Sequence, residues 1–338
     1  MNKITYMFGA GASVGALPIV KDIPDRLHKL IDKISNPDMK LSDETIDYPA
    51  IKAPKKFCEY QKELIESLSW LKDNTDLHTS IDTYAKKLWI KKQNEELRKL
   101  KITLSIFFVL EQLTNRPDKR YDSFYASIIT SLYKFPEHIK ILSWNYDYQF
   151  ELSYTSYSEK PTIQQNQEIL NIHSKNWYRD FFDNTGFAVY KLNGTTGFTA
   201  LKSDDSYNYM NEYKGYLDKN MLQEVVNNYA ISTYTDFIVP TLSFAWENEI
   251  KEVKILKNAM IDTKDTRVLV VIGYSFPFFN RDVDRLILKN MKDLKKIYIQ
   301  DPNADNIKER IDATLGYGGY YKTICIKNTE QFYLPDEL

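Results

Sequence analysis

The chain has 338 residues, of which 43% are hydrophobic and 27% charged, a balance that excludes a collagen-like, low-complexity or wholly disordered protein and leaves ample length for a buried core. With 45 Lys and Arg against 46 Asp and Glu, the formal charge of -1 gives no global field to draw in nucleic acid, so direct nucleic-acid binding is not expected, and only a local basic groove is compatible with it. Cys58 and Cys325 are the only two cysteines, which excludes a disulfide framework and a four-cysteine zinc site within one chain, and no His/Cys/Asp/Glu grouping has metal-ligand spacing.

The first apolar run, residues 4–8, leads into FGAGAS, whose glycines, with Pro18 beyond, fit a strand and turn rather than a secretory signal. Ile23, Leu27, Leu30, Ile31 and Ile34 then repeat on one helical face after the start signals Asp22 and Pro24. Over 36–135 the strand signal disappears and the apolar spacing is helical, the pattern of a helical insertion after the first βα unit. Runs rich in Ile, Val and Tyr recur at 139–144, 188–192, 237–239, 268–272, 297–299 and 322–326, with helical patterns at 285–294 and 306–315. Between them, 154–186 reads as surface loops and 201–234 as irregular chain with one short helix. Most of the runs are continuous rather than alternating, as in strands buried on both faces. The expected fold class is α/β: a Rossmann-like parallel sheet flanked by helices, formed by 1–35 and 136–338 with the insertion at 36–135, all one domain over 1–338. No apolar stretch approaches the ~20 residues of a membrane helix, so a cytoplasmic protein that does not engage membranes is expected.

Five strand ends carry polar or glycine-rich exits. Gly9 and Gly11 permit a tight turn and close approach to a pyrophosphate, and Ser13 adds a hydroxyl. The third glycine of the dinucleotide fingerprint is absent, because Val14 holds its position and Gly15 comes one residue late. In SWNYD, Asn145 and Asp147 leave the carboxyl end of a strand, where ligands of open parallel sheets bind, although both also suit turn and helix capping. KLNGTTG and VIGYSF repeat the strand-to-glycine exit, and QDPN sets Asp301 and Asn303 beyond another strand. Five such exits on one sheet are hard to explain as independent turns.

In this order, FGAGAS, SWNYD, KLNG, VIGYSF and QDPN resemble the Sir2-like superfamily, in particular its bacterial branch found in antiphage defence, over most of the chain outside the insertion and the two loop regions. The resemblance implies a domain that binds NAD+ and cleaves it to nicotinamide and ADP-ribose, without a metal. It implies that Gly9, Ala10, Gly11, Ala12 and Ser13 hold phosphates, that Asn145 and Asp147 line the nicotinamide-ribose site, that Gly273, Tyr274 and Ser275 contact ribose or phosphate, and that Asp301 and Asn303 lie near adenosine. It further implies a homo-oligomer and a partner such as an ATPase or a phage-sensing protein. The family's lysine deacylases carry a four-cysteine zinc module that this chain lacks. The histidine that serves the family as general base is replaced by Asn193, which cannot accept a proton at neutral pH. The catalytic set expected is therefore Asn145, Asp147 and Asn193. The competing expectation is a catalytically weak NAD-binding scaffold. Arg26, His78 and His173 are further residues whose place relative to the site the sequence leaves open.

Overall fold

The computed structural model describes residues 3–130, 134–158, 162–174, 186–200, 206–207, 210, 213–247, 254–316 and 320–338. Its strands are β1 (Ile4–Phe8), β2 (Ile139–Ser143), β3 (Ile172–Ser174), β4 (Ala188–Lys191), β5 (Phe198–Ala200), β6 (Ser206–Tyr207), β7 (Ile238–Pro240), β8 (Val268–Ile272), β9 (Lys296–Gln300) and β10 (Lys322–Ile326). The helices are α1 (Ile23–Ile34), α2 (Phe57–Leu77), α3 (Ile81–Ile90), α4 (Asn94–Thr114), α5 (Lys119–Ile128), α6 (Gln149–Tyr154), α7 (Ile163–Ile169), α8 (Lys219–Tyr234), α9 (Lys254–Thr263), α10 (Arg281–Asn290) and α11 (Ala304–Leu315). The chain divides into two units, one of Met1–Gly15, Pro117–Thr195 and Ser243–Leu338, the other of Ala16–Arg116 and Thr196–Leu242.

The first unit holds a seven-stranded sheet in the order β10-β9-β8-β1-β2-β4-β3, parallel throughout. Side chains alternate between the two faces of each strand, and both faces are apolar, which is why the strands read as unbroken runs. Tyr6, Phe8, Ile141, Val189 and Val270 point to one face, against Tyr121, Phe124 and Tyr125 of α5, Phe150 of α6 and Phe332 near the carboxyl terminus. Met7, Leu142, Tyr190, Val271 and Ile299 point to the other, against Leu256 of α9, Ile287 of α10 and Ile307 of α11. This is a Rossmann-like α/β arrangement. The chain builds outward from β1 through β2 to β4 and β3, then returns to the opposite side of β1 through β8, β9 and β10. The direction of winding thus reverses at the β1–β8 pair, and in such sheets the crevice outside the strands' carboxyl ends at that reversal is the usual ligand site. The register is unslipped: Phe8 lies beside Ser143 and Ile272, Ser143 beside Lys191, and Ile272 beside Gln300. All five polar exits therefore emerge at one level along one edge.

The second unit contains α1 to α4, α8 and a three-stranded antiparallel sheet, β6-β5-β7. Its α1 buries Ile23, Leu27, Leu30 and Ile34 of the stripe expected from the sequence, while Ile31 is half-buried. Several boundaries differ from the sequence reading. The run at 237–239 falls on β7 (Ile238–Pro240), which belongs to the small antiparallel sheet because it pairs with β5 rather than with the parallel strands. The irregular stretch at 154–186 contains α7 and the edge strand β3, its residues 175–185 lying outside the described residues, and the short helix expected within 201–234 runs for 16 residues as α8. Of the stretch read as a helical insertion, 36–135, α5 belongs to the sheet-bearing unit, where Phe124 and Tyr125 pack on the sheet, and α8 joins the helical unit from outside that stretch. Among the described residues no helix is long and apolar enough to cross a membrane.

Candidate functional site

The turn after β1 is held by backbone on three sides. Gly9 donates its N–H to Ile272 O at 3.0 Å, Gly11 to Gly273 O at 2.9 Å, and Ala12 to Gly9 O at 2.9 Å. A Cβ on Gly11 would lie 2.8 Å from Gly273 Cα, and one on Gly273, whose φ is +57°, would lie 2.4 Å from Gly11 C. These glycines let the turns after β1 and β8 pack backbone against backbone. The amides of Gly9, Gly11 and Ala12 are thus committed to carbonyls, and the exposed Ala10 is the residue of this turn whose amide makes none of these bonds.

Beneath the turn lies a buried polar network. Asn145 Nδ2 donates to Gly9 O at 3.0 Å and to Ser13 Oγ at 3.2 Å. Ser13 Oγ donates to Asp147 Oδ2 at 2.7 Å and lies 3.0 Å from the Tyr121 hydroxyl. With its one proton given to Asp147, Ser13 accepts from Asn145 and Tyr121, which uses its full hydrogen-bonding capacity. The serine expected to offer a hydroxyl to a phosphate therefore faces inward. Asp147 also accepts the Gln149 N–H at 3.2 Å, bracing the turn that leads into α6. Burial raises the Asp147 carboxyl above its ordinary range, opposed by the Lys191 charge and the Ser13 hydrogen bond. Lys191, the last residue of β4, donates to Asp147 O at 2.6 Å and to both Glu151 carboxylate oxygens at 2.7 and 2.8 Å, in a pair that is fully buried on both sides.

Asn193 follows β4, beside the end of β2. Its Nδ2 reaches Trp144 O at 3.4 Å, its own carbonyl accepts the Ser243 N–H at 2.9 Å, and its buried Oδ1 has no hydrogen-bond partner among the described residues. The Trp144 ring stacks on Tyr274 with centroids 5.8 Å apart. Tyr274 in turn donates its hydroxyl to Asp284, with O···O distances of 2.8 and 3.0 Å, and accepts from Asn280 Nδ2 at 3.0 Å. Burial pushes Asp284 well above the ordinary carboxylate range, with Tyr274 and Trp144 opposing the shift. Ser275 is exposed, and its carbonyl accepts from Arg310 Nη1 at 2.6 Å. Asp301 Oδ1 accepts the Asn303 N–H at 2.8 Å, so that carboxylate braces the turn into α11 while Asn303 stands exposed.

The structure thus brings Ser13, Asn145 and Asp147 into one network, sets Asn193 beside it through Trp144, and leaves Ser275, Asp301 and Asn303 on exits of the same edge. Two residues that the sequence reading passed over hold the first turn in place. Asp118 accepts the Gly15 N–H at 2.8 Å, and Arg120 Nη2 donates to Gly11 O and Ala12 O, both at 3.0 Å. Burial works to raise the Asp118 carboxyl, but hydrogen bonds from Arg120 outweigh it and leave it below its usual value. The sequence signal available for them was the helix start at Asp118; nothing local ties Arg120 to a turn more than 100 residues earlier.

Of the residues left open, Arg26 bonds Glu111 and Ala16 O in the helical unit, and His78, in the same unit, bonds Asn74 O through Nδ1 and packs on Tyr84. His173 stacks on Tyr190 in the sheet-bearing unit, with centroids 4.9 Å apart. Among the described residues no group of three or more His, Cys, Asp or Glu is placed to hold a metal ion. No known protein-family model matches the chain, and no curated protein matches it.

Proposed function

We propose that this is a Sir2-like NAD+ glycohydrolase that splits NAD+ into nicotinamide and ADP-ribose, acting as a cytoplasmic NAD-depleting effector of bacterial antiphage defence, assembled as a homo-oligomer. The observation that carries the reading is a pair of side-chain carbonyls at the ends of two adjacent strands. Both amide hydrogens of Asn145 are tied to Gly9 and Ser13, which leaves Oδ1 as its remaining polar atom, and Asn193 Oδ1 is a buried acceptor without a donor among the described residues. Buried acceptors demand donors, and the hydroxyls of a ribose or an attacking water supply them. Asn145 is bonded to the turn after β1, one of the two strands at the winding reversal, and a nucleotide agrees with that position.

The chemistry suits this donor-poor set. Nicotinamide leaves as a neutral group with the electrons of the C1′–N bond, water adds to the oxocarbenium-like ribose, and its proton passes to solvent. Cleavage then depends on orientation and fixed dipoles rather than on a side-chain base, which Asn193 cannot be. Asp147, itself held by Ser13 and Gln149, keeps the Asn145 network in place.

A second reading is favoured by the committed amides of Gly9, Gly11 and Ala12: an NAD-binding scaffold of weak activity that assembles with a partner such as an ATPase or a nucleic-acid-guided sensor. Nicotinamide release from NAD+ separates the two. In the enzyme reading Asn145→Ala lowers turnover per folded molecule by ~10²–10³, and Asn193→His keeps or raises it. Unchanged turnover in folded Asn145→Ala removes the catalytic assignment, and no release by wild type, alone or with candidate partners, favours the scaffold.

A further inference from the structure

The outer surface of α9 and α10 differs in charge from the molecule as a whole. The two helices lie side by side on one face of the parallel sheet, joined where Asn290 Nδ2 donates to Met260 O at 2.5 Å and the Lys292 N–H to Lys264 O at 3.1 Å. Their inner stripes, including Leu256, Ala259, Val283 and Ile287, are buried in the core. The outward residues follow from helical spacing: Lys257, Ile261 and Lys264 continue one stripe along α9 and just past its end, and Arg281, Arg285 and Lys289 recur every four residues along α10. Asp282 is the one exposed acid within the two helices, and Asp265, which follows Lys264, is paired with Lys3 at 3.1 Å. The buried acids, Asp262 and Asp284, are turned inward onto Tyr190 and Tyr274. None of these five cations has an ion-pair partner among the described residues, and Arg285 Nε is buried without an acceptor. A chain with a net charge of -1 therefore carries a concentrated cationic face.

Apolar side chains stand among these charges. Ile261 is 51% exposed, Leu286 39% and Phe278, at the approach to α10, 77%. A phosphate backbone would satisfy the cations yet leave the aliphatic groups against its hydrated surface. An acidic helix with leucine-like residues beside its carboxylates satisfies both, since its own four-residue repeat matches the spacing of Arg281, Arg285 and Lys289. We propose that this face is the docking surface for an acidic amphipathic segment of a partner protein. The cations steer and orient the segment, and Ile261, Leu286 and Phe278 supply the desolvated contacts on which affinity depends.

The test titrates the full chain against three probes: a synthetic helical peptide with Glu every fourth residue and Leu on the adjoining stripe, a single-stranded oligothymidylate, and vesicles containing phosphatidylserine. The peptide is expected to bind most tightly. The paired reversal Arg285→Glu, Lys289→Glu and the single change Leu286→Asp should each weaken it at least ~tenfold, about 1.4 kcal/mol, without moving the thermal midpoint. Tighter binding of the oligonucleotide or the vesicles, a Leu286→Asp variant that binds the peptide like wild type, or absence of peptide binding overturns the proposal. So does a dimer in sedimentation that the charge reversal dissolves, which would make a second copy of the chain the occupant.

Discussion

Gly11 and Gly273 occupy positions where any side chain must displace backbone. Because a Cβ on Gly11 would meet Gly273 Cα at 2.8 Å, Gly11→Ala is expected to cost about 1–3 kcal/mol in urea unfolding, the range of an overpacked core. Loss of NAD+ binding in a Gly11 variant would accordingly report on the two turns before it reported on a phosphate. A sharper residue-scale test lies in Asp284. Its raised carboxyl means that, between the ordinary unfolded value near ~4 and its own higher folded value, the native chain holds a proton that the unfolded chain has released. Stability then falls as pH rises through that window. Asp284→Asn, uncharged yet able to accept from Tyr274, removes this dependence, so its stability relative to wild type should improve from acid pH toward neutrality. Asp284→Ala leaves the buried Tyr274 hydroxyl without that acceptor and should cost about 1–3 kcal/mol. Parallel stability–pH curves for wild type and Asp284→Asn would show that Asp284 holds no excess proton.

At the scale of elements, the fully buried Lys191–Glu151 pair ties the end of β4 to α6, and Gln167 of α7 adds a hydrogen bond to Glu151 at 3.3 Å. Removing one partner leaves a buried charge: Lys191→Met should cost about 3–5 kcal/mol, and the double change Lys191→Met, Glu151→Leu should recover most of it. A double variant whose loss, measured by denaturant unfolding, equals the sum of the Lys191→Met and Glu151→Leu losses would show that the pair is not coupled. The same pair shows where sequence reading runs out. Strands such as β1 and β8 were legible because burial on both faces leaves an unbroken apolar run, and their exits because glycine, Asn and Asp are conspicuous after such runs. Charged residues have no such signature: Lys191 reads as a surface residue until Glu151 is folded onto it. β7 is as apolar as a parallel strand over three residues, and only its pairing with β5 sets it apart. Arg120 belongs to the first turn through contacts of more than 100 residues' separation, which no local pattern records.

For the whole molecule, the chain passes between the two units at four points, and each pair of crossings in the sheet-bearing unit is drawn together by a hydrogen bond. Gly15 N–H meets the Asp118 carboxylate, one residue from Pro117, and the Ser243 N–H meets Asn193 O, two residues from Thr195. Short Gly/Ser joins from Gly15 to Pro117 and from Thr195 to Ser243 therefore add little loop-closure entropy, which grows only slowly with length. All seven parallel strands, both layers of helices packed on them, and Asn145, Asp147 and Asn193 lie within the retained segments. The joined protein is expected to fold with the circular dichroism of an α/β sheet, to unfold in one cooperative transition, and to bind NAD+ with calorimetric heat that Asn145→Ala abolishes. A chain that stays unfolded would show that the sheet depends on residues 16–116 and 196–242 for its stability. A folded chain that gives no heat would instead remove NAD+ binding from the strand ends alone, and with it the argument from the two asparagine carbonyls.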